Sequence, residues 1–519
     1  MLADRAAAWD ALASRGPFDV LVVGGGVTGA AVAFEAARRG LKTALVERND
    51  FGSGTSSRSS KLIHGGLRYL KEGRIRLTRE SVRERQALLR EAPGLVEPLT
   101  FVMPHYRARS PGRTMVAAGL ALYDALAGAW QHRYVSREQV VALLPPLDRR
   151  ELLGAHCYVD AITDDARLVL RLIAQAREAG AIALNYAAAR VHFAGERIEG
   201  AEVVDACSGE RAEVRSSAVI AATGVFADEL RSALDAPPRL RPLRGSHLVI
   251  AGWRLPLGCA VAFEHPDDRR LVFAYPWEGA TLVGTTDLDH TDPLGAREPS
   301  ITAAEVRYLL AALQYQFPAC ELSRKDIVAT FAGVRPIVAA AVRGAPSTMS
   351  REHVVWREHG LVTVTGGKLT TFRPMALEAL SAAATTLPPF DLSWRPVFAS
   401  EGGRDRLAGR YGIHASEIIA SACDDELECV GSTPFLWAEL RWAARHELVV
   451  HLDDLLLRRT RIGLLVHDGA MRYADRIAAI CRTELAWGGA RWNAELDRYS
   501  NILRASYACG AAITGYPAE

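Results

Sequence analysis

Three glycines between a strand and a helix constrain this chain more than any other feature. Gly24, Gly26 and Gly29 form G-x-G-x-x-G directly after the apolar run Phe18 to Val23, and alanine-rich helical sequence follows over 28–39. Gly40 stops that helix, and 41–47 is a second apolar run ending in Glu47. Residues 18–47 therefore read as a βαβ unit, which demands a parallel sheet and opens a doubly wound α/β fold. The first glycine permits a tight turn, the second lets a pyrophosphate approach the backbone, and the third allows close helix–sheet packing. The helix N-terminus faces the phosphates with its positive dipole end. Glu47, eighteen residues after the last glycine, is placed to accept hydrogen bonds from an adenosine ribose. The triplet does not distinguish FAD from NAD.

At 519 residues the chain exceeds what one hydrophobic core supports, so two or three domains are expected. Its 49% hydrophobic and 24% charged content excludes a disordered or collagen-like chain. A formal net charge of +2 gives no overall field to draw in nucleic acid. The eight cysteines are scattered without C-x-x-C or a histidine run, which argues against a metal site and fits reduced thiols in a cytoplasmic setting. The first sixteen residues alternate charge with alanine and do not read as a secretory signal. The longest apolar run, 115–130, is interrupted by Asp124 and glycines, and it is too short to span a bilayer.

Further along, a Ser/Thr/Gly-rich stretch (53–60) precedes a basic helical segment (71–90), and a charged amphipathic helix is expected over 164–180. The run 218–224 reads as a buried strand ending at Gly224, strands and turns fill 240–300, and a helix lies near 302–316. The segment 361–364 is strand-like and leads through Gly366-Gly367 into another helix. Three prolines and two glycines over 387–403 mark the domain boundary, beyond which a mainly helical domain is expected.

TSSRSSKLIHGGLRYL (55–70) resembles the signature of the FAD-dependent, aerobic respiratory glycerol-3-phosphate dehydrogenase family. The resemblance continues in order through DDARLVL (164–170), RGSH (244–247), GTTD (284–287), GVRP (333–336) and GGKLTTFR (366–373), and LDDLLLRRTRIG (452–463) is similar to the family's helical cap. It implies a Rossmann-like FAD-binding domain of the glutathione-reductase/D-amino-acid-oxidase type with an inserted mixed β-sheet substrate domain. That oxidoreductase region is expected over 15–390, with FAD-binding parts near 15–90, 150–235 and 330–390 and substrate parts near 91–149 and 236–329. A C-terminal α-helical cap is expected over 396–519. It further implies oxidation of sn-glycerol 3-phosphate to dihydroxyacetone phosphate, with electrons passed to a membrane quinone, and it is compatible with a homodimer. Arg58 departs from the pattern, because the family carries small residues ahead of SSKLIHGG.

The residues make chemical sense beside the name. Thr55, Ser56 and Ser57 offer hydroxyls and N–H groups to a pyrophosphate and flavin. Gly366, Gly367, Lys368, Leu369 and Thr370 let the backbone approach a flavin ring at a helix start. Oxidising a secondary alcohol requires a proton acceptor while hydride departs, and His64 (KLIHGG) and His247 (RGSH) are the two candidates. A phosphate dianion calls for guanidinium or ammonium groups, for which Arg335, Arg351 and Lys368 are the candidates. Arg335 or Lys368 can also stabilise a developing alkoxide.

Segment 71–90 carries seven basic residues with Ile75, Leu77, Val82, Leu88 and Leu89, and the apolar run to Trp130 follows. This composition suits a peripheral contact with an anionic lipid surface on the inner face of the cell membrane, and equally a solvated helix packed on its own core. Two other functions share the motifs: a glycerol-3-phosphate oxidase releasing hydrogen peroxide, and a non-catalytic flavin-dependent sensor of glycerol phosphate.

Overall fold

A computed structural model describes residues 5–71, 73–107, 112–194, 197–232, 234–295, 298–338, 352–398 and 405–508. The opening strand Phe18–Val23 runs parallel to Thr43–Val46 on one side and to Arg211–Ala221 on the other. Ile182–Leu184 and Leu361–Gly366 extend this parallel core at its two ends. Such strands are buried on both faces, which is why FDVLVV is a nearly continuous apolar run rather than an alternating one. Helix Val27–Ala37 is almost wholly buried, and its small side chains let it lie close on the sheet beside helices Asp165–Glu178 and Phe372–Ala383. The hairpin of Ala187–Ala194 and Arg197–Asp205 joins Arg211–Ala221 and, with helix Arg5–Ser14, covers the opposite face.

A second, mixed sheet of ten strands stands against the first. Its longest pairings are Val96–Tyr106 with Leu152–Thr163, and Leu240–Ala251 with Ile327–Val338, both antiparallel. Helix Ala303–Gln316 packs on it, started by a capping box between Thr302 and Glu305. The cap, from helix Arg406–Tyr411 to the turn Leu503–Tyr507, is helical as expected. Its Leu440, Leu456 and Ile477 share one apolar cluster with Leu99, Phe101 and Tyr275 of the mixed sheet. At about 25 cal/mol per Å² of buried apolar surface, that shared core binds cap to sheet.

The basic segment 71–90 forms helix Ile75–Glu91 after a break at Gly73, whose φ is +73°. Leu77, Val82 and Leu88 are buried in the protein's own core, and Leu89 packs against it, so four of the five apolar residues considered for membrane contact face inward. Ile75 is the exception, at 51% exposure. Arg76, Arg79, Arg83 and Arg90 point to solvent, whereas Arg85 is buried against Asp160 (2.5 Å). The apolar run 115–130 yields helix Arg113–Ala127, and among the described residues no helix is long and apolar enough to cross a membrane.

Candidate active site

The carboxyl ends of the parallel strands open into a cavity of about 1220 Å³. Ligand crevices in doubly wound folds lie at this edge of the sheet, and the volume exceeds the roughly 300–1,000 Å³ of common small-molecule sites. Gly24, Gly26, Glu47, Thr55 and Ser56 line one end, while Gly224, Gly366, Gly367, Lys368 and Leu369 line another part, with Arg335 between strand and solvent.

Each glycine of the fingerprint has a distinct surrounding. Gly24 has φ +109°, and a Cβ there would lie 2.5 Å from the Ala222 carbonyl oxygen. A Cβ on Gly29 would sit 1.9 Å from the Gly24 carbonyl oxygen, so Gly29 serves helix–strand packing and does not line the cavity. Gly26 does line it and caps helix Val27–Ala37, and its nearest neighbour for a Cβ is the Ser56 hydroxyl at 3.1 Å. That hydroxyl accepts from the Val27 N–H (2.9 Å), and the Thr55 hydroxyl donates to the Val334 carbonyl (2.5 Å), joining the serine-rich turn to helix Val27–Ala37 and to the mixed sheet. Ser57 is buried outside the cavity, where its carbonyl accepts from Lys61 Nζ (3.1 Å) and Arg461 (3.0 Å).

Glu47 differs from the simple expectation of a ribose contact. Its carboxylate already accepts from the Gly25 N–H (2.6 Å) and the Asn49 N–H (2.8 Å), so it also braces the glycine turn. Burial pushes its carboxyl above the usual range, and the two N–H groups oppose that shift. Each carboxylate oxygen retains a further lone pair for a ribose hydroxyl.

The four candidate catalytic residues do not occupy equivalent positions. Arg335 lines the cavity, held by Asp287 (2.9 Å) and the Thr285 hydroxyl (3.1 Å), and its guanidinium lies where a Cβ on Gly245 would be 2.4 Å away. Lys368 also lines it, donating to Ser81 Oγ (2.9 Å) with Nζ 3.7 Å from the centroid of the Tyr69 ring. His64 and His247 lie outside the cavity lining. The Thr370 hydroxyl, also outside it, accepts from the His64 N–H (3.1 Å) and lies 3.2 Å from the His64 carbonyl.

His247 is 1% exposed and stacks on Phe331 (centroids 4.7 Å, 11°), with Nε2 2.9 Å from Ser60 Oγ. Its Nδ1 is buried without a hydrogen-bond partner among the described residues. Burial, reinforced by Arg335 and Lys61, pushes its pKa well below the ordinary histidine value. Strand register sets His247 beside Gly284, next to the Thr285 and Asp287 that hold Arg335. Arg351 lies outside the described residues.

Several site residues carried no role in the motif reading. Asp287 was visible as the last residue of GTTD, but only the fold brings it to Arg335. Arg458, within LDDLLLRRTRIG, and Arg498 and Asn501, which no local pattern marks, reach the cavity from the cap. Arg58, the departure from the family pattern, is buried, pairs with Glu298 (2.6 Å) and donates to Tyr507 in the cap (3.1 Å).

This geometry suits an extended dinucleotide: an open glycine turn at a helix start, a carboxylate at the second strand and a second glycine pair across one continuous cavity. The model of the FAD dependent oxidoreductase family matches residues 19–373, and that of the C-terminal domain of alpha-glycerophosphate oxidase matches 397–492. An aerobic glycerol-3-phosphate dehydrogenase of Staphylococcus saprophyticus is 33% identical over 94% of each chain. The chain belongs to the FAD-dependent oxidoreductases of the aerobic glycerol-3-phosphate dehydrogenase family. A Staphylococcus epidermidis enzyme of the same name is 39% identical over 85% of this chain and 86% of its own. Among solved structures of the family, the Bacillus halodurans glycerol-3-phosphate dehydrogenase complexed with FAD superposes with a TM-score of 0.76 at 26% identity, covering 96% of this chain and 97% of that one. The L-alpha-glycerophosphate oxidase of Mycoplasma pneumoniae, with FAD bound, shares the fold at 21% identity and TM-score 0.56, over 73% of this chain and 98% of that one.

Proposed function

We propose that this protein oxidises sn-glycerol 3-phosphate to dihydroxyacetone phosphate and passes the electrons to a membrane quinone. The observation that carries the reading is the approach of Arg335 and Lys368 to one glycine-lined cavity, with a buried histidine held neutral beside Arg335. FAD, when bound, supplies the hydride acceptor. Gly24, Gly26, Glu47, Thr55, Ser56, Gly224, Gly366, Gly367 and Leu369 would hold it along the cavity, with Gly29, Ser57 and Thr370 shaping the turns behind.

Arg335, fixed by Asp287 and Thr285, presents guanidinium N–H groups to the substrate phosphate or to the oxygen that gains alkoxide character. Lys368 adds a second cation at the same cavity, and the family resemblance adds Arg351. We assign the proton acceptor to His247 in preference to His64. Burial holds its imidazole neutral, and the tautomer that donates Nε2–H to Ser60 would leave Nδ1 as the base. Anaerobic addition of glycerol 3-phosphate to the flavin-loaded protein should bleach the flavin band, and a quinone analogue should restore it; an unbleached band overturns the reading. The likeness to a glycerophosphate oxidase in cap and fold favours one alternative, reoxidation by oxygen, which peroxide formation at a rate equal to substrate turnover would establish.

For the membrane, exposed Met115 (61%) and Leu122 (45%) lie on one stripe of helix Arg113–Ala127, with Trp130 (72%) beyond its end. Ile75 and the exposed Arg76, Arg79 and Arg83 lie on the helix packed beside it. An apolar stripe flanked by arginines suits peripheral attachment to anionic lipid on the cytoplasmic face. The protein should sediment with anionic liposomes at low salt, and its absence from the pellet overturns that part.

A further inference from the structure

A second cavity, of about 260 Å³, lies between helix Asp165–Glu178 and the cap, away from the glycine segments. Arg167, Arg171 and Arg177 line it from one face of that helix, spaced i, i+4 and i+10, and Arg410 enters from the cap. Two carboxylates also line it, Glu447 paired with Arg167 and Glu417 paired with His414.

The pairings leave donors over. Arg167 grips Glu447 through both terminal nitrogens (2.5 and 3.1 Å), and Arg410 pairs with Asp164 and with Glu278 (3.0 Å). Yet the Nε–H groups of Arg167 and Arg410, residues at most 2% exposed, have no hydrogen-bond partner among the described residues. The Nη2 of Arg177 is buried in the same condition. Buried donors are almost always satisfied, and these three belong to residues that line one small cavity. The backbone is shaped for the same cluster: a Cβ on Gly412, at φ +60°, would lie 1.5 Å from Arg171 Nη1, so only glycine leaves that guanidinium its place. Ile173 and Trp442 supply apolar wall for a short carbon skeleton, and His446 lies tilted against Trp442 at 4.0 Å between centroids.

We propose that this cavity is a second anion site, distinct from the substrate site, that takes a small phosphate monoester. Phosphate oxygens accept from Arg167, Arg177 and Arg410, as guanidinium geometry favours, and the ester carbons lie against Trp442. A ligand there bridges the cap to a helix whose first residue, Asp165, holds Lys61 (3.1 Å) beneath Phe331 and His247.

The probe is inorganic phosphate, followed by equilibrium dialysis on the flavin-loaded full chain at constant ionic strength set with chloride. The wild type is expected to bind one equivalent that survives Arg335→Ala. Arg177→Met should weaken that equivalent about tenfold, the effect of losing one charge-assisted contact. Ala174→Trp, which fills the cavity, should abolish it, and retained flavin in both variants shows that they are folded. The proposal is overturned if Arg177→Met and Ala174→Trp bind phosphate as the wild type does, or if chloride displaces it at equal concentration.

Discussion

Two arginine-rich segments of this molecule meet opposite fates. Helix Ile75–Glu91 keeps Arg76, Arg79, Arg83 and Arg90 in water and buries Arg85. The turn Asp454–Arg459 and the residues after it bury Arg458, Arg459 and Arg461, none above 2% exposure. The difference lies in what faces them. Asp50, just past Glu47, takes Arg458 (2.5 Å) and Arg459 (2.8 Å), while Arg461 takes Asp165 and Asp164 at the start of the long helix. A guanidinium goes inside where carboxylates meet it: Arg458 also takes Asp453 and Asp454 of its own segment, but local composition does not reveal the acids that come from distant segments. These buried pairs fix how the cap sits, because either partner alone would be a buried, uncompensated charge.

The largest effect should come from breaking such a pair. Arg461→Met, which removes the cation shared by Asp164 and Asp165 but leaves them Arg410 and Lys61, is expected to lower the unfolding free energy by about 3 kcal/mol in a urea titration. Next is Arg335, which is half-buried and stands between the two classes. Arg335→Ala should keep flavin and fold but lose roughly 10²–10³ in kcat/KM, by analogy with other electrostatic stabilisers. An unchanged kcat/KM would place it with the solvated arginines.

The pH dependence sharpens the same contrast. Burial alone would raise the Asp164 carboxyl, but Arg461 and Arg410 outweigh it and hold it far below the ordinary 3.8; Arg459 and Arg458 do the same to Asp50. A depressed folded-state pKa stabilises fully above the unfolded value and is lost as pH falls below it. Stability should therefore hold through neutral pH and fall steeply below about pH 4. Arg461→Met should show a shallower fall, since less stabilisation remains to be lost. The smallest effect belongs to the exposed helix. Arg79→Glu with Arg83→Glu should change stability by no more than about 0.5 kcal/mol while reducing sedimentation with anionic liposomes. A large loss of stability would erase the distinction between the two segments.

Much of the first domain was legible because its signals are local. The strand, glycine turn, helix and acid of 18–47 are a contiguous pattern, and DDARLVL announces a helix that Asp164 caps through the Arg167 N–H (3.2 Å). Contacts between distant segments were not legible. Arg373, the last residue of GGKLTTFR, is fully buried on Glu84 (2.9 Å) and Glu91 (3.0 Å), two acids of the helix read from sequence as basic. Amphipathic periodicity showed that helix Ile75–Glu91 has an apolar side, but not whether lipid or protein would cover it. The partner of Arg335 was hidden for the same reason: Asp287 is 48 residues away, and only strand pairing brings the two together.

The hydroxyl of Thr370 contacts both the N–H and the carbonyl of His64, across 306 positions of sequence. One oxygen thereby makes the HGG loop and the GGKLT segment a single mechanical part. Neither segment moves alone: a substitution that shifts one carries the other with it, so changes in such a scaffold arise more readily as paired substitutions than in single steps.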